Sequence, residues 1–131
     1  MKVLFICTGN TCRSPMAEGF YNKKHGEGAR SAGIYAENGA LPAANAVSAM
    51  KMHGIDISAH RSAQVTPEEI KNAEKIYTMT EGHAVILREA FPEYKDKINV
   101  LGKGISDPFG CDEETYLKCA DEIKKYVDEL K

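Results

Sequence analysis

The sequence predicts a single α/β domain, a three-layer sandwich in which helices flank a central parallel sheet of about four strands. Three observations carry that expectation. Short apolar runs of strand character alternate with segments of helical spacing along the whole chain. The first run is apolar at every position, as a strand buried on both faces of a parallel sheet must be. At 131 residues there is enough chain for one hydrophobic core and too little for two ordinary domains, so 1–131 reads as one domain.

Val3 to Ile6 is the first strand, and it ends in a glycine-containing loop. Ser14-Pro15 reads as an N-cap and first helical position, so Pro15 to about Lys24, with Met16 and Phe20 on one face, should be helix until Gly26. Arg30 to Ile34 reads as a second strand. Pro42 opens a helix carrying Ala43, Val47 and Met50 at helical spacing and stopping near Gly54. Thr66-Pro67-Glu68-Glu69 is a capping box with proline at the first helical position, which announces a short helix.

Lys75 to Met79 reads as the third strand, about Glu81 to Phe91 as a helix ended by Pro92, and Ile98 to Leu101 as the fourth strand. The last helix runs from about Glu113 to Leu130, capped by Asp112. Its stripe of Tyr116, Ala120, Ile123, Val127 and Leu130 reads as core, and Lys124, Lys125 and Lys131 suit the negative end of the helix dipole. Folds of this kind bind ligands at the carboxyl ends of strands, and Cys7 sits at one such end. No internal repeat, low-complexity tract or linker divides the chain.

Composition excludes several function classes. Hydrophobic residues make up 43% and charged residues 27% of the chain, which is globular usage rather than the signature of disorder. The 17 basic and 19 acidic residues are interspersed, with a net charge of −2, and this gives no support to nucleic-acid or membrane-surface binding. The apolar run near the N-terminus is too short for a secretory leader, and nothing approaches the ~20 residues of a membrane span. A cytoplasmic chain with reduced thiols is expected. Cys7, Cys12, Cys111 and Cys119 lack the paired spacings of a metal site, so no metal and no cofactor is called for.

The chemistry concentrates in Cys7-Thr8-Gly9-Asn10-Thr11-Cys12-Arg13-Ser14. A loop of this length between a buried strand and a helix N-terminus can close a ring of backbone N–H groups around one tetrahedral anion. Gly9 and Asn10 are residue types that tolerate the left-handed backbone such a ring needs. Arg13 can curl back and grip two phosphoryl oxygens with its planar fork. The helix dipole, the amides and Arg13 all favour negative charge at Cys7, which makes it a thiolate nucleophile. Ser14 can donate its hydroxyl to that sulfur, or serve as a plain N-cap. The lysine and second glycine of a Walker loop are missing, as is a Rossmann fingerprint.

Far downstream, Ser106-Asp107-Pro108-Phe109-Gly110 forms an acidic turn after the fourth strand. Phe109 is an apolar neighbour there, and partial desolvation would let Asp107 hold a proton and act as the general acid opposite Cys7.

On these residues the sequence resembles the low-molecular-weight protein-tyrosine-phosphatase family over essentially its whole length. The resemblance implies a two-step mechanism. Cys7 attacks phosphorus, Arg13 and the loop amides of Thr8, Gly9, Asn10, Thr11, Cys12, Arg13 and Ser14 hold the oxygens, and Asp107 protonates the leaving group and then activates water. It implies that Ser31 and His60 brace the loop through Asn10 and Ser14. It also implies that Cys12 can pair reversibly with Cys7 under oxidation. Substrates would be phosphorylated proteins, with inorganic phosphate as product.

Family tyrosine phosphatases commonly carry isoleucine before the second loop cysteine, whereas protein-arginine phosphatases resemble this chain in carrying threonine. Thr11 therefore favours phosphoarginine, since a hydroxyl can accept a guanidinium N–H, with Tyr35 and Phe109 as further pocket-wall residues. The alternatives are a phosphotyrosine phosphatase, an arsenate reductase, or a non-catalytic phosphoprotein binder. The reductase relatives usually place extra cysteines after the strand at Lys75 to Met79, where this chain has Thr80, Glu81 and His83. Cys111 and Cys119 read as structural or incidental.

Overall fold

The computed structural model describes residues 1–130. Its sheet has four parallel strands in the order β2-β1-β3-β4, formed by β1 (Val3–Cys7), β2 (Ala29–Gly33), β3 (Lys75–Thr78) and β4 (Ile98–Val100). The chain leaves β1 toward β2 on one side and later fills β3 and β4 on the other. The carboxyl end of β1 is thus the switch point at which such sheets open a crevice.

β1 is apolar throughout because it faces two cores. Val3, Phe5 and Cys7 belong to the cluster with α1 (Arg13–His25), α2 (Ala44–Lys51) and α5 (Glu113–Asp128). Leu4 and Ile6 point the other way, into the cluster with Ile70 of α3 (Pro67–Asn72) and Ala84 and Leu87 of α4 (Glu81–Ala90). Phe5, Leu4 and Ile6 are wholly buried, each worth roughly 1.5–3 kcal/mol relative to exposure. Tyr116, Ala120, Ile123 and Val127 of α5 are buried as the stripe requires, with Leu130 packed against the same core.

The Thr66 capping box forms in full, with the Thr66 hydroxyl accepting from the Glu69 amide and the Glu69 carboxylate from the Thr66 amide. Thr80 caps α4 and Asp112 caps α5 through their side chains. Strand ends lie within one residue of expectation.

Three boundaries differ. α1 begins at Arg13, two residues early, because the loop is already winding when it reaches Cys12, whose carbonyl accepts from Met16 N at 3.3 Å. Ser14 is therefore inside the first turn rather than its N-cap, and Pro15 is tolerated there because first-turn amides have no helical acceptor. α2 begins at Ala44 rather than at Pro42. The Ala43 amide is taken by the Thr11 carbonyl at 2.9 Å, which ties this segment to the loop before the helix can start. α5 ends at Asp128, and Pro92–Lys97 forms a 3₁₀ turn that periodicity did not announce. Lys131 lies outside the described residues. No helix among those described is long and apolar enough to cross a membrane.

Candidate active site

The loop Cys7–Ser14 runs from the end of β1 into the first turn of α1. Cys7 is 2% exposed. Its Sγ lies 2.9 Å from Ser14 Oγ and accepts from the Asn10 amide at 3.3 Å. Asn10 has φ 58°, the only positive φ of a non-glycine residue among those described. Gly9 does not share it, so of the pair expected to turn left-handed only Asn10 does so.

Asn10 is held there because its side chain is fully used. Nδ2 donates to Ser14 Oγ at 2.8 Å and to Ser31 Oγ at 3.0 Å, while Oδ1 accepts from the Ala63 amide at 2.9 Å. Its carbonyl accepts from His60 Nε2 at 2.9 Å. Ser31 in turn donates to Glu18, whose carboxylate lies 3.9 Å from His60 Nδ1. Sequence reasoning did not single out Glu18, a charged residue on an otherwise buried helix face. A close backbone approach completes the brace: a Cβ on Gly33 would lie 2.5 Å from the Thr8 carbonyl, which only glycine avoids.

Arg13 is buried. Nη1 donates to the Ile105 carbonyl at 2.8 Å, and Nη2 lies 3.7 Å from Asp107 Oδ2. Nε is buried without a partner, an orphaned donor of the kind that an anionic ligand satisfies. Cys7, Thr8, Gly9, Thr11, Cys12, Arg13, Asp107 and Phe109 line one cavity of about 260 Å³. A larger hollow of about 490 Å³ beside Glu18, Asp56 and His60 contains no nucleophile. Chemistry, not volume, selects the site.

Asp107 departs from expectation in one respect. Its side chain is 51% exposed, and Phe109 is itself 73% exposed, so the ring does not shelter the carboxyl as anticipated. The turn is instead fixed by Asp107 Oδ1 accepting from the Phe109 amide at 3.0 Å. Tyr35 stands outside the cavity lining, exposed, with its amide donating to the Thr8 carbonyl.

Cys12 Sγ lies 3.2 Å from the Tyr116 hydroxyl. Burial pushes the Cys12 thiol and the Tyr116 phenol up from their ordinary values, so both stay protonated. Cys119 is pushed up to about 12, again by burial, and Cys111 is exposed. Among the described residues no three His, Cys, Asp or Glu side chains gather as a metal cage. His83, missed as a site residue, brings Nε2 within 2.8 Å of Thr8 Oγ1. Its only sequence signal is its place in the capped first turn of α4.

A family model described as low molecular weight phosphotyrosine protein phosphatase matches residues 2–131. A protein-arginine-phosphatase of Geobacillus stearothermophilus is 40% identical, over 98% of this chain and 93% of its own. An arsenate reductase of Halalkalibacterium halodurans is also 40% identical, over 95% and 91%. The crystal structure of a low molecular weight protein tyrosine phosphatase from T. tengcongensis superposes with a TM-score of 0.92 at 41% identity, covering 99% of this chain and 97% of that one.

Proposed function

The chain belongs to the low molecular weight phosphotyrosine protein phosphatase family and is a protein phosphatase; within that family we propose that it hydrolyses phosphoarginine through a phosphocysteine at Cys7. The observation that carries the chemistry is the state prepared for one sulfur. Asn10 Nδ2 donates to Ser14 Oγ and so turns the Ser14 proton toward Cys7, while the Asn10 amide donates to the same sulfur. Two donors converge on an atom that a thiol would need only as a weak acceptor, which suits a thiolate.

The phosphoryl group sits over Cys7 with its oxygens on the loop amides and on Arg13, whose unpartnered Nε gains its acceptor there. Cys7 Sγ attacks phosphorus while the N–P bond to the guanidinium breaks, and Asp107 gives its proton to the departing nitrogen. Asp107, now a carboxylate, takes a proton from water as that water attacks the phosphocysteine. The S–P bond breaks, inorganic phosphate leaves, and the thiolate is restored. Asp107 lines the same cavity as Cys7 and is half open to water, which serves both proton steps.

Thr11 on the cavity wall supports phosphoarginine over phosphotyrosine; overall identity does not separate the two, being 40% to the relative named for arginine dephosphorylation and 41% to the tyrosine phosphatase. The exposed ring of Phe109 favours the second reading, phosphotyrosine, as an apolar contact for an aryl group. Arsenate reduction by a thiol relay is the least supported. Cys119 is a buried thiol with its proton firmly held, and the β3–α4 junction carries Thr80, Glu81 and His83. Steady-state rates on phosphoarginine, phosphotyrosine, and arsenate with thioredoxin test the proposal. The highest kcat/KM is expected on phosphoarginine, and a preference for phosphotyrosine or turnover of arsenate alone refutes it.

A further inference from the structure

We propose that His83 is a positioning residue that holds the Thr8 side chain so that its hydroxyl donates a hydrogen bond to the phosphoryl group in the Cys7 cavity. The proposal rests on the phosphatase reading of that cavity. It adds a side-chain donor, set from a different strand–helix junction, to a cradle otherwise built of backbone amides and Arg13.

His83 enters from α4, which follows β3, the neighbour of β1 in the sheet. Its backbone is pinned by the helix cap, with its amide donating to Thr80 Oγ1 at 3.2 Å. The ring is 9% exposed overall, and Nε2 reaches Thr8 Oγ1 at 2.8 Å. On the far side Nδ1 is buried with no partner.

That orphaned nitrogen decides the tautomer. A buried N–H without an acceptor is rarer and costlier than a buried lone pair, so the proton belongs on Nε2 and points at Thr8. Burial first, and then the nearby Arg13 guanidinium, hold the ring below its ordinary affinity for a second proton, against a smaller opposite pull from Asp107. The imidazole is therefore neutral and donates through Nε2.

The consequence falls on Thr8. With one lone pair engaged by His83, its own O–H must be given elsewhere, and His83 is the only side-chain partner that Oγ1 has among the described residues. Thr8 lines the same cavity as Cys7 and Arg13. The hydroxyl hydrogen is thus available for a hydrogen bond to an oxygen of whatever anion enters. Were the polarity reversed, with Thr8 donating to Nε2, the ring would need its proton on the buried, partnerless Nδ1.

The test uses Thr8→Val, Thr8→Ser, His83→Ala, His83→Gln and the pair Thr8→Val with His83→Ala. Two readouts are taken: kinetics on phosphoarginine, and calorimetric titration with inorganic phosphate, which needs no turnover. Thr8→Val should raise KM and the phosphate Kd together by roughly 10- to 100-fold, the range for a lost hydrogen bond to a charged group, with kcat within about threefold. His83→Ala should raise both in the same direction, and the pair should be no worse than Thr8→Val alone. Thr8→Ser and His83→Gln, which keep a hydroxyl and an N–H of similar reach, should return to within about threefold of the parent protein.

Unchanged phosphate affinity in His83→Ala overturns the proposal, as does a double variant that loses the product of both single effects. So does a loss confined to kcat, or a His83→Gln protein no better than His83→Ala. Should the parent protein bind phosphate yet turn over none of the phosphorylated substrates, the phosphatase reading fails while the titrations still decide the role of His83. Thr8 is exposed, so its variants keep the test valid if His83→Ala unfolds.

Discussion

Asn10→Asp offers the sharpest test of how the sulfur is prepared. The substitution keeps the shape and exchanges one NH₂ for an oxygen, at a residue with no exposure to solvent. Nδ2 now serves the Ser14 and Ser31 hydroxyls at 2.8 and 3.0 Å. A carboxylate there accepts instead, so Ser14 turns its proton away from Cys7, and the sulfur loses a bond worth about 1–2 kcal/mol. The negative charge also faces the thiolate. Bonds of 2.8 Å and 2.9 Å laid end to end put the two no more than about 6 Å apart, a repulsion of about 3 kcal/mol at an effective dielectric near 20. Together these lower kcat/KM by roughly 10³- to 10⁴-fold.

Hydrolysis of an aryl phosphate reads the rate of the Asn10→Asp protein, and alkylation of Cys7 by iodoacetamide reads its thiolate independently. Both should fall together. The sign with pH follows from burial, which raises the affinity of the introduced carboxyl for a proton. As pH falls that group is neutralised and regains one donor, so the ratio of variant to parent rate should rise. A folded variant within threefold of the parent, or one whose ratio falls with acid, refutes the reasoning.

Thr11→Ile should move the ratio of kcat/KM toward phosphotyrosine by roughly 10- to 200-fold, measured against phosphoarginine in the same preparation. Asp107→Ala should cost roughly 10²- to 10⁴-fold on phosphoarginine and far less on an activated aryl phosphate, whose leaving group departs unaided; equal losses argue against the acid role. Gly33→Ala should lower both the melting temperature and the rate, because its Cβ meets the Thr8 carbonyl at 2.5 Å and the Ala36 Cβ at 2.9 Å and backbone cannot yield cheaply. Peroxide should inactivate the enzyme reversibly with a Cys7–Cys12 linkage visible by mass spectrometry, and recovery with dithiothreitol checks it.

The strand, loop and helix that hold Cys7, Arg13 and Ser14 were legible in the sequence because their meaning is local. An apolar run, a glycine-containing loop and a helix start state their geometry in consecutive residues, and so did the Thr66 capping box and the α5 stripe. Even Asp107, far downstream, could be read from its Asp-Pro turn. The tertiary structure decided what depends on residues distant in sequence meeting at one point. It left Asp107 half exposed where a neighbouring phenylalanine suggested shelter, since shelter depends on where the ring points. It moved the start of α1 into the loop and gave Ser14 to the sulfur instead of to the helix cap. It brought Ser31, His60 and Ala63 onto Asn10 and His83 onto Thr8, across up to 75 residues of chain, because parallel strands deliver their carboxyl ends to one edge of the sheet. A hydrogen bond between such ends has no spacing rule in the sequence, only a place in the fold.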